Sequence, residues 1–170
     1  MPSNITVRYA DTTSEEAMRE DSRTIFKLAI QNYDETGFPE RIAPFDPVKC
    51  LQSIYETVRD GFVLLAFDGD RLVGGLGCTE WSIWYSQATM LAERFFFILP
   101  EYRDGDALKG LLEEAKAVAD DLGIAISLTI ANTQKRNRPP RNGLQRVASQ
   151  LTYFPQGNSY MIVPAGEDAR

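Results

Sequence analysis

The 170-residue chain contains no histidine. That absence excludes a Ser-His-Asp triad, a Cys-His dyad and histidine-ligated zinc. Any acid–base work must fall to Glu, Asp, Tyr, Lys, Cys or water. Cysteine is scarce as well: Cys50 and Cys78 are the 2 present, and neither has metal-ligand neighbours in the sequence. Two buried, reduced thiols in a cytoplasmic protein are expected, rather than a disulfide. There is no long uninterrupted apolar run and no early apolar region, so neither a signal peptide nor a membrane span is expected. An excess of positive charge is also missing. The net charge is −6, and such a balance argues against nucleic acid as a partner.

What is present suits one domain over residues 1–170. Hydrophobic residues make up 44% of the chain, enough for an ordinary core and too many for a disordered chain. Residues 5–9 alternate like a first strand. Thr13-Ser14-Glu15-Glu16 is a capping-box candidate that opens a helix, with Met18, Ile25, Leu28, Ala29 and Tyr33 as its apolar face. Residues 35–44 hold glycine and two prolines and read as a loop. Asp46-Pro47 starts a second helix, with Asp as cap and Pro in the first turn.

Residues 62–67 are a buried strand, and Asp68-Gly69-Asp70-Arg71 signals a hairpin. Residues 72–78 return antiparallel, and Gly74, Gly75 and Gly77 predict a bend or bulge there. A strand over 90–99 follows, then a helix from about Gly105 to Leu122 that stops at Gly123. Residues 124–130 alternate as a strand. Residues 132–141 form a basic loop, 144–151 a short helix and 152–163 a hairpin whose turn spans 155–158. The last six residues read as a frayed tail. The order is β-α-α-β-β-β-α-β-α-β-β.

The chain is organised around Arg94-Phe95-Phe96-Phe97-Ile98-Leu99-Pro100-Glu101-Tyr102-Arg103-Asp104-Gly105-Asp106-Ala107-Leu108. A bulky apolar strand runs into Pro100, which has no N–H to continue a ladder, then into a helix start. This stretch resembles the coenzyme A motif of the GNAT (Gcn5-related) N-acetyltransferases. In that family a strand feeds an Arg/Gln-x-x-Gly-x-Gly/Ala turn and then a long helix. The approach Pro100-Glu101-Tyr102-Arg103 is similar. The turn Arg103-Asp104-Gly105-Asp106-Ala107 departs, being one residue short between Arg and Gly and carrying two acids. The order of elements resembles the family along nearly the whole chain; the motif itself covers residues 95–112.

The resemblance implies an α/β (α+β) fold. Its centre would be a mixed, mostly antiparallel sheet of about seven strands, flanked by about four helices, with a splayed parallel strand pair. The pantetheine arm of acetyl-coenzyme A would lie in the splay. It would bond to the strand edges from Phe96 to Leu99 and from Thr129 to Asn132, with Phe97, Ile98, Leu99 and Asn132 as the named contacts. The pyrophosphate would sit on the backbone of Asp104, Gly105, Asp106, Ala107 and Leu108, helped by Arg103. Asp104 and Asp106 fit two roles: repelling the phosphates, or favouring the helix dipole while turned to solvent, with Lys109 as an offset. As a base for the amine, the resemblance points to Glu93 first and Glu80 second; either also reads as a rim carboxylate.

The family's usual acid is a tyrosine in the helix after the fifth strand. Residues 144–150 contain none, which leaves Tyr153 and Tyr160 nearby, with Tyr160 as the candidate. The basic loop, Lys135-Arg136-Asn137-Arg138-Pro139-Pro140-Arg141, reads as solvated surface or as a clamp on the 3′-phosphate. Trp81, Trp84, Tyr85 and Phe38 fit an acceptor groove, the core or a homodimer interface.

The function so implied is a cytoplasmic, acyl-coenzyme A-dependent N-acetyltransferase. It would move an acetyl group to a primary amine on a small molecule or peptide, by direct attack in a ternary complex. The only thiols available for a covalent route are Cys78 and, less suitably, Cys50. The eroded turn and missing tyrosine motivate an alternative: a catalytically degenerate GNAT-fold binding or structural protein of phage or prophage type. A nucleic-acid modifier on the same fold would have only the basic loop in its favour.

Overall fold

The computed structural model describes residues 4–36, 44–103, 105–129, 153–156 and 159–162. Strand β1, Ile5–Tyr9, comes first. Helix α1, Glu15–Thr36, follows. Its cap is Ser14, whose Oγ accepts the Ala17 N–H at 3.1 Å. The expected box does not close, because three residues beyond Ser14 stands Ala17, not an acid, and the Thr13 hydroxyl donates to Asp11 instead. Helix α2, Pro47–Asp60, is capped as expected: Asp46 Oδ1 accepts from the N–H groups of Val48 and Lys49, each at 3.0 Å.

Strands β2 (Phe62–Asp68), β3 (Arg71–Ser82) and β4 (Thr89–Ile98) form an antiparallel meander. Gly69, in the tight β2–β3 turn, has φ 58°, a region that favours glycine. A short 3-10 turn, Pro100–Tyr102, leads into α3, Asp106–Leu122. That helix ends at Gly123, whose φ of 64° lets its N–H reach back to Ala119 and Asp120. Then come β5 (Ile126–Thr129), β6 (Tyr153–Gln156) and β7 (Ser159–Ile162).

The described strands form one sheet in the order β1-β2-β3-β4-β5-β7-β6. It is mostly antiparallel; β4 and β5 are the parallel pair, joined by α3 as the crossover. Pro155 and Gln156, expected in a turn, belong to β6. That strand lies at the edge of the sheet, where a proline costs no essential ladder bond. The expected helix over 144–151 lies outside the described residues, as do Phe38, the basic loop and the tail.

Successive residues of β2, Val63 to Ala66, are all buried, and so are those of β3 from Leu72 to Cys78. Strands buried at consecutive positions are covered on both faces. Helices α1 and α2 pack on each other and against β2 and β3, while α3 packs against β1, β2, β3 and β7. Close approach explains two glycines. A Cβ at Gly110 of α3 would stand 2.8 Å from Val7 Cγ2, and one at Gly61 only 2.1 Å from the Cys78 carbonyl oxygen.

The bulge anticipated from the β3 glycines is present: against β2, Ala66 pairs with Gly74 and Phe67 with Leu72, so Val73 of β3 is left over. A second bulge lies on β4. Gly77 pairs with Phe95 and Cys78 with Glu93, so Arg94 of β4 is left over. The glycine contributes room: a Cβ at Gly77 would meet the Phe95 ring at 2.4 Å.

Candidate active site

β4 is bonded to β3 along nearly its whole length. Toward β5 its ladder among the described residues consists of Leu91 opposite Ile126 and Ala92 opposite Ser127. The Leu91 N–H donates to the Ala125 carbonyl at 2.9 Å. Both strands then run on without pairing to each other, and the Arg94 bulge sits where they part. A bulge bends its strand and raises the local twist, which turns the rest of β4 away from β5.

The backbone direction in that opening follows from one bond. The Leu99 N–H donates to the Val73 carbonyl of β3 at 2.8 Å. With a period of two, Phe97 also faces β3, while Phe96 and Ile98 turn their backbone groups to the opening. Of the residues expected along this edge, Phe96 and Ile98 turn their main chains to the opening, Phe97 turns to β3, and Leu99 directs its N–H to β3 and its carbonyl to the Tyr102 N–H at 2.9 Å. The side chains of Phe97, Ile98 and Leu99 are buried, and the Phe97 ring stacks on Phe95 with centroids 5.2 Å apart.

The turn after β4 is pinned from the β2–β3 hairpin. The Tyr102 hydroxyl donates to Asp68 at 2.8 Å, and Arg71 pairs with Glu101 at 3.0 Å. The bond to Asp68 holds the Tyr102 phenol above its ordinary pKa, because its proton is shared with a carboxylate. Arg103 turns back onto β4: its Nε donates to the Ile98 carbonyl at 2.8 Å. Asp104 lies outside the described residues.

Gly105, which has no side chain to cap with, occupies the N-cap of α3. The first helical bond runs from the Lys109 N–H to the Gly105 carbonyl at 3.3 Å. The N–H groups of Asp106, Ala107 and Leu108 precede it and have no acceptor within the helix. Ala107 and Leu108 bury their side chains beneath this turn, and Asp106 is exposed.

Glu93 is half-buried on β4 beside the opening, in register with Cys78. Cys78 is 0% exposed, and burial first, then the Glu93 charge, push its thiol well above the ordinary range. Cys50 is raised by burial as well. Glu80 is exposed farther along β3, opposite Leu91. Tyr160 stands on β7 opposite Leu128 of β5, one strand from the opening. Asn132 lies outside the described residues. Trp81, Trp84 and Tyr85 are 50%, 88% and 73% exposed, so the core reading fails for them.

Sequence patterns could not find the Arg103–Ile98 bond or the Tyr102–Asp68 bond, since nothing local marks either pair. A cavity of about 510 Å³ lies elsewhere, at the β1–α1 junction, lined by Arg8, Tyr9, Asp11, Thr13 and Asp21. Its charged groups satisfy one another: Asp21 takes two bonds from Arg8, at 2.8 and 2.9 Å, and one from the Asp11 N–H at 2.7 Å.

No family model and no curated protein matches the sequence. Solved structures do match the fold. A GNAT-family acetyltransferase from Streptococcus pneumoniae superposes with TM-score 0.62 at 16% identity, over 95% of this chain and 100% of the other. The PaiA N-acetyltransferase from Thermoplasma acidophilum, solved with coenzyme A, gives 0.58 at 19% identity, over 95% and 98%. An aminoglycoside acetyltransferase from an uncultured soil sample, solved with sisomicin, gives 0.54 at 12% identity, over 90% and 95%. The chain has the fold of the GNAT acetyltransferases.

Proposed function

We propose that the protein is an acyl-coenzyme A-dependent N-acetyltransferase that moves an acetyl group to a primary amine by direct attack in a ternary complex. The observation that carries this reading is the opening between β4 and β5. Two parallel strands part after two register pairs, and a helix N-terminus without a side-chain cap follows the longer strand. Its support from likeness is the shared fold; one similar protein was solved with coenzyme A and another with an amine-bearing aminoglycoside.

Acetyl-coenzyme A, as cosubstrate, brings the activated thioester. The backbone of Phe96 and Ile98 along this edge suits the amides of its pantetheine arm, as an added strand would. The first-turn N–H groups of α3 and the Arg103 guanidinium suit its pyrophosphate. Asp106 works against that seat by its charge. Glu93 takes the proton from the acceptor ammonium, so that a free amine attacks. Tyr160, or water, returns a proton to the departing thiolate. A covalent route through Cys78 is chemically poor, because a buried thiol held neutral is a weak nucleophile. The acceptor class is a primary amine on a small molecule or peptide. A cytoplasmic setting fits the two free cysteines. No helix among the described residues is long and apolar enough to cross a membrane.

The test is calorimetric titration with acetyl-coenzyme A, followed by a thiol-release assay across polyamines, aminoglycosides and peptide N-termini. Saturable heat and amine-dependent thiol release are expected. Absence of heat from a folded sample would overturn the reading and leave a GNAT-fold binding scaffold.

A further inference from the structure

Most described arginines of this acidic chain are matched to acids. Arg8, Arg19, Arg23, Arg59 and Arg71 each pair with an aspartate or glutamate. Arg94 pairs with no acid among the described residues. Its exposed side chain makes one hydrogen bond there, from Nη2 to the Ser53 hydroxyl of α2 at 3.4 Å, long for such a bond. The acid one turn along α2, Glu56, takes the Gln52 amide instead, at 2.9 Å. A guanidinium carries five N–H donors, so most of this one's capacity is unused by the protein. Its place gives that capacity a use. Arg94 is the residue left over between the Gly77–Phe95 and Cys78–Glu93 pairs, where β4 parts from β5. A bulge re-aims the side chain it carries, and here the bond to Ser53 marks the direction as toward α2.

We infer that Arg94 is a specificity-determining residue that holds a carboxylate of the acceptor, so that the preferred amines are amino acids or short peptides rather than polyamines or aminoglycosides. The inference rests on the proposed acetyl transfer. An amine brought to Glu93 meets, from the next residue of the same strand, a cationic fork that no protein carboxylate neutralises. A carboxylate on the same molecule matches that fork with two parallel, charge-assisted bonds. A second ammonium in its place is repelled. Displacing the Ser53 hydroxyl costs little, because that bond is long and exposed. The same side chain therefore rewards one class of amine and penalises the other.

The experiment is a thiol-release assay with acetyl-coenzyme A and matched acceptors: each standard amino acid against its own carboxamide, and short peptides against the same peptides amidated at the C-terminus. Wild type, Arg94→Ala and Arg94→Lys are compared, with circular dichroism and thermal melting as fold controls. The amine of an amide is intrinsically less basic, but that difference cancels when the acid-to-amide ratio of kcat/KM is compared between proteins. The ratio is expected to fall about tenfold in Arg94→Ala, chiefly through KM for the acid, and to recover in part in Arg94→Lys, which keeps the charge and loses the fork. A merely structural role would lower both members of each pair alike and leave the ratio where it was. If thiol release proceeds and the ratio does not change in Arg94→Ala, the inference is overturned and the acetyl transfer stands. Wild-type activity confined to polyamines or aminoglycosides would overturn it equally. If no amine elicits thiol release from the wild-type protein, both fall together.

Discussion

The two edges of β4 are built in opposite ways. Toward β3, nine residues of β3 find partners on β4, from Gly74 to Ser82. Toward β5, two do. The same ten residues supply both edges, so hydrophobicity and strand propensity do not explain the difference. Connection and the bulge do. An antiparallel hairpin zips from its turn, whereas β5 arrives by way of α3 in a parallel register that is slightly weaker per residue. The Arg94 bulge then bends β4 just beyond the last parallel pair. The closed edge holds the fold together, and the open edge leaves backbone of β4 without a neighbouring strand among the described residues.

Breaking the chemistry at the open edge should have the largest effect. Glu93→Gln is expected to lower turnover about 10²–10⁴-fold while leaving acetyl-coenzyme A affinity nearly unchanged. Steady-state thiol release and calorimetry check the two halves. Normal turnover in the variant would remove Glu93 from its role.

The closed edge should answer through stability. Gly61→Ala sets a Cβ against two backbone oxygens, Cys78 at 2.1 Å and Thr57 at 2.9 Å, neither of which can swing aside. A loss of about 1–3 kcal/mol in urea unfolding is expected. Gly77→Ala meets the Phe95 ring at 2.4 Å, a side chain with more freedom to move, so a smaller loss is expected. The reverse ranking would mean that the β3 backbone yields more readily than the aromatic pair.

Tyr102→Phe tests how the hairpin steadies the turn beside the open edge. It deletes the bond to Asp68 and leaves the ring in place. The KM for acetyl-coenzyme A should rise a few-fold with kcat unchanged. An equal fall in kcat would place Tyr102 nearer the chemistry.

The smallest effect concerns Cys78, at the junction of the two edges. In folded protein at pH 8 a thiol reagent should modify half-buried Cys50 slowly and spare Cys78. The folded pKa of Cys78 is raised, so the unfolded state loses its proton first as pH rises. Stability from this group is therefore complete below its ordinary value of 9.0 and declines as pH climbs above it. A Cys78→Ser variant should lose that alkaline decline. Rapid labelling of Cys78 in the folded protein would contradict its burial.

Local chemistry made much of the fold legible in the sequence. Asp46 and Pro47 mark a helix start because a carboxylate satisfies free N–H groups two and three residues on. Gly123 marks a helix end because it adopts a positive φ without strain. Alternation and turn residues located the meander and the crossover helix. The resemblance of that chain order to the GNAT family then implied β4 and β5 as parallel neighbours. What lay beyond reach depends on residues distant in sequence or on register. Tyr102 and Asp68 are 34 positions apart, and no pattern links them. The glycines of β3 signalled a bulge, yet only the pairing with both neighbours shows that Val73 is left over against β2 and Arg94 against β3. Phe97 and Leu99 could be named as strand residues, but which edge their backbone faces is set by a single bond to Val73. Residue types and spacing decide where the backbone is helical or extended; the register of one strand against its neighbours decides which of its atoms remain open to a ligand.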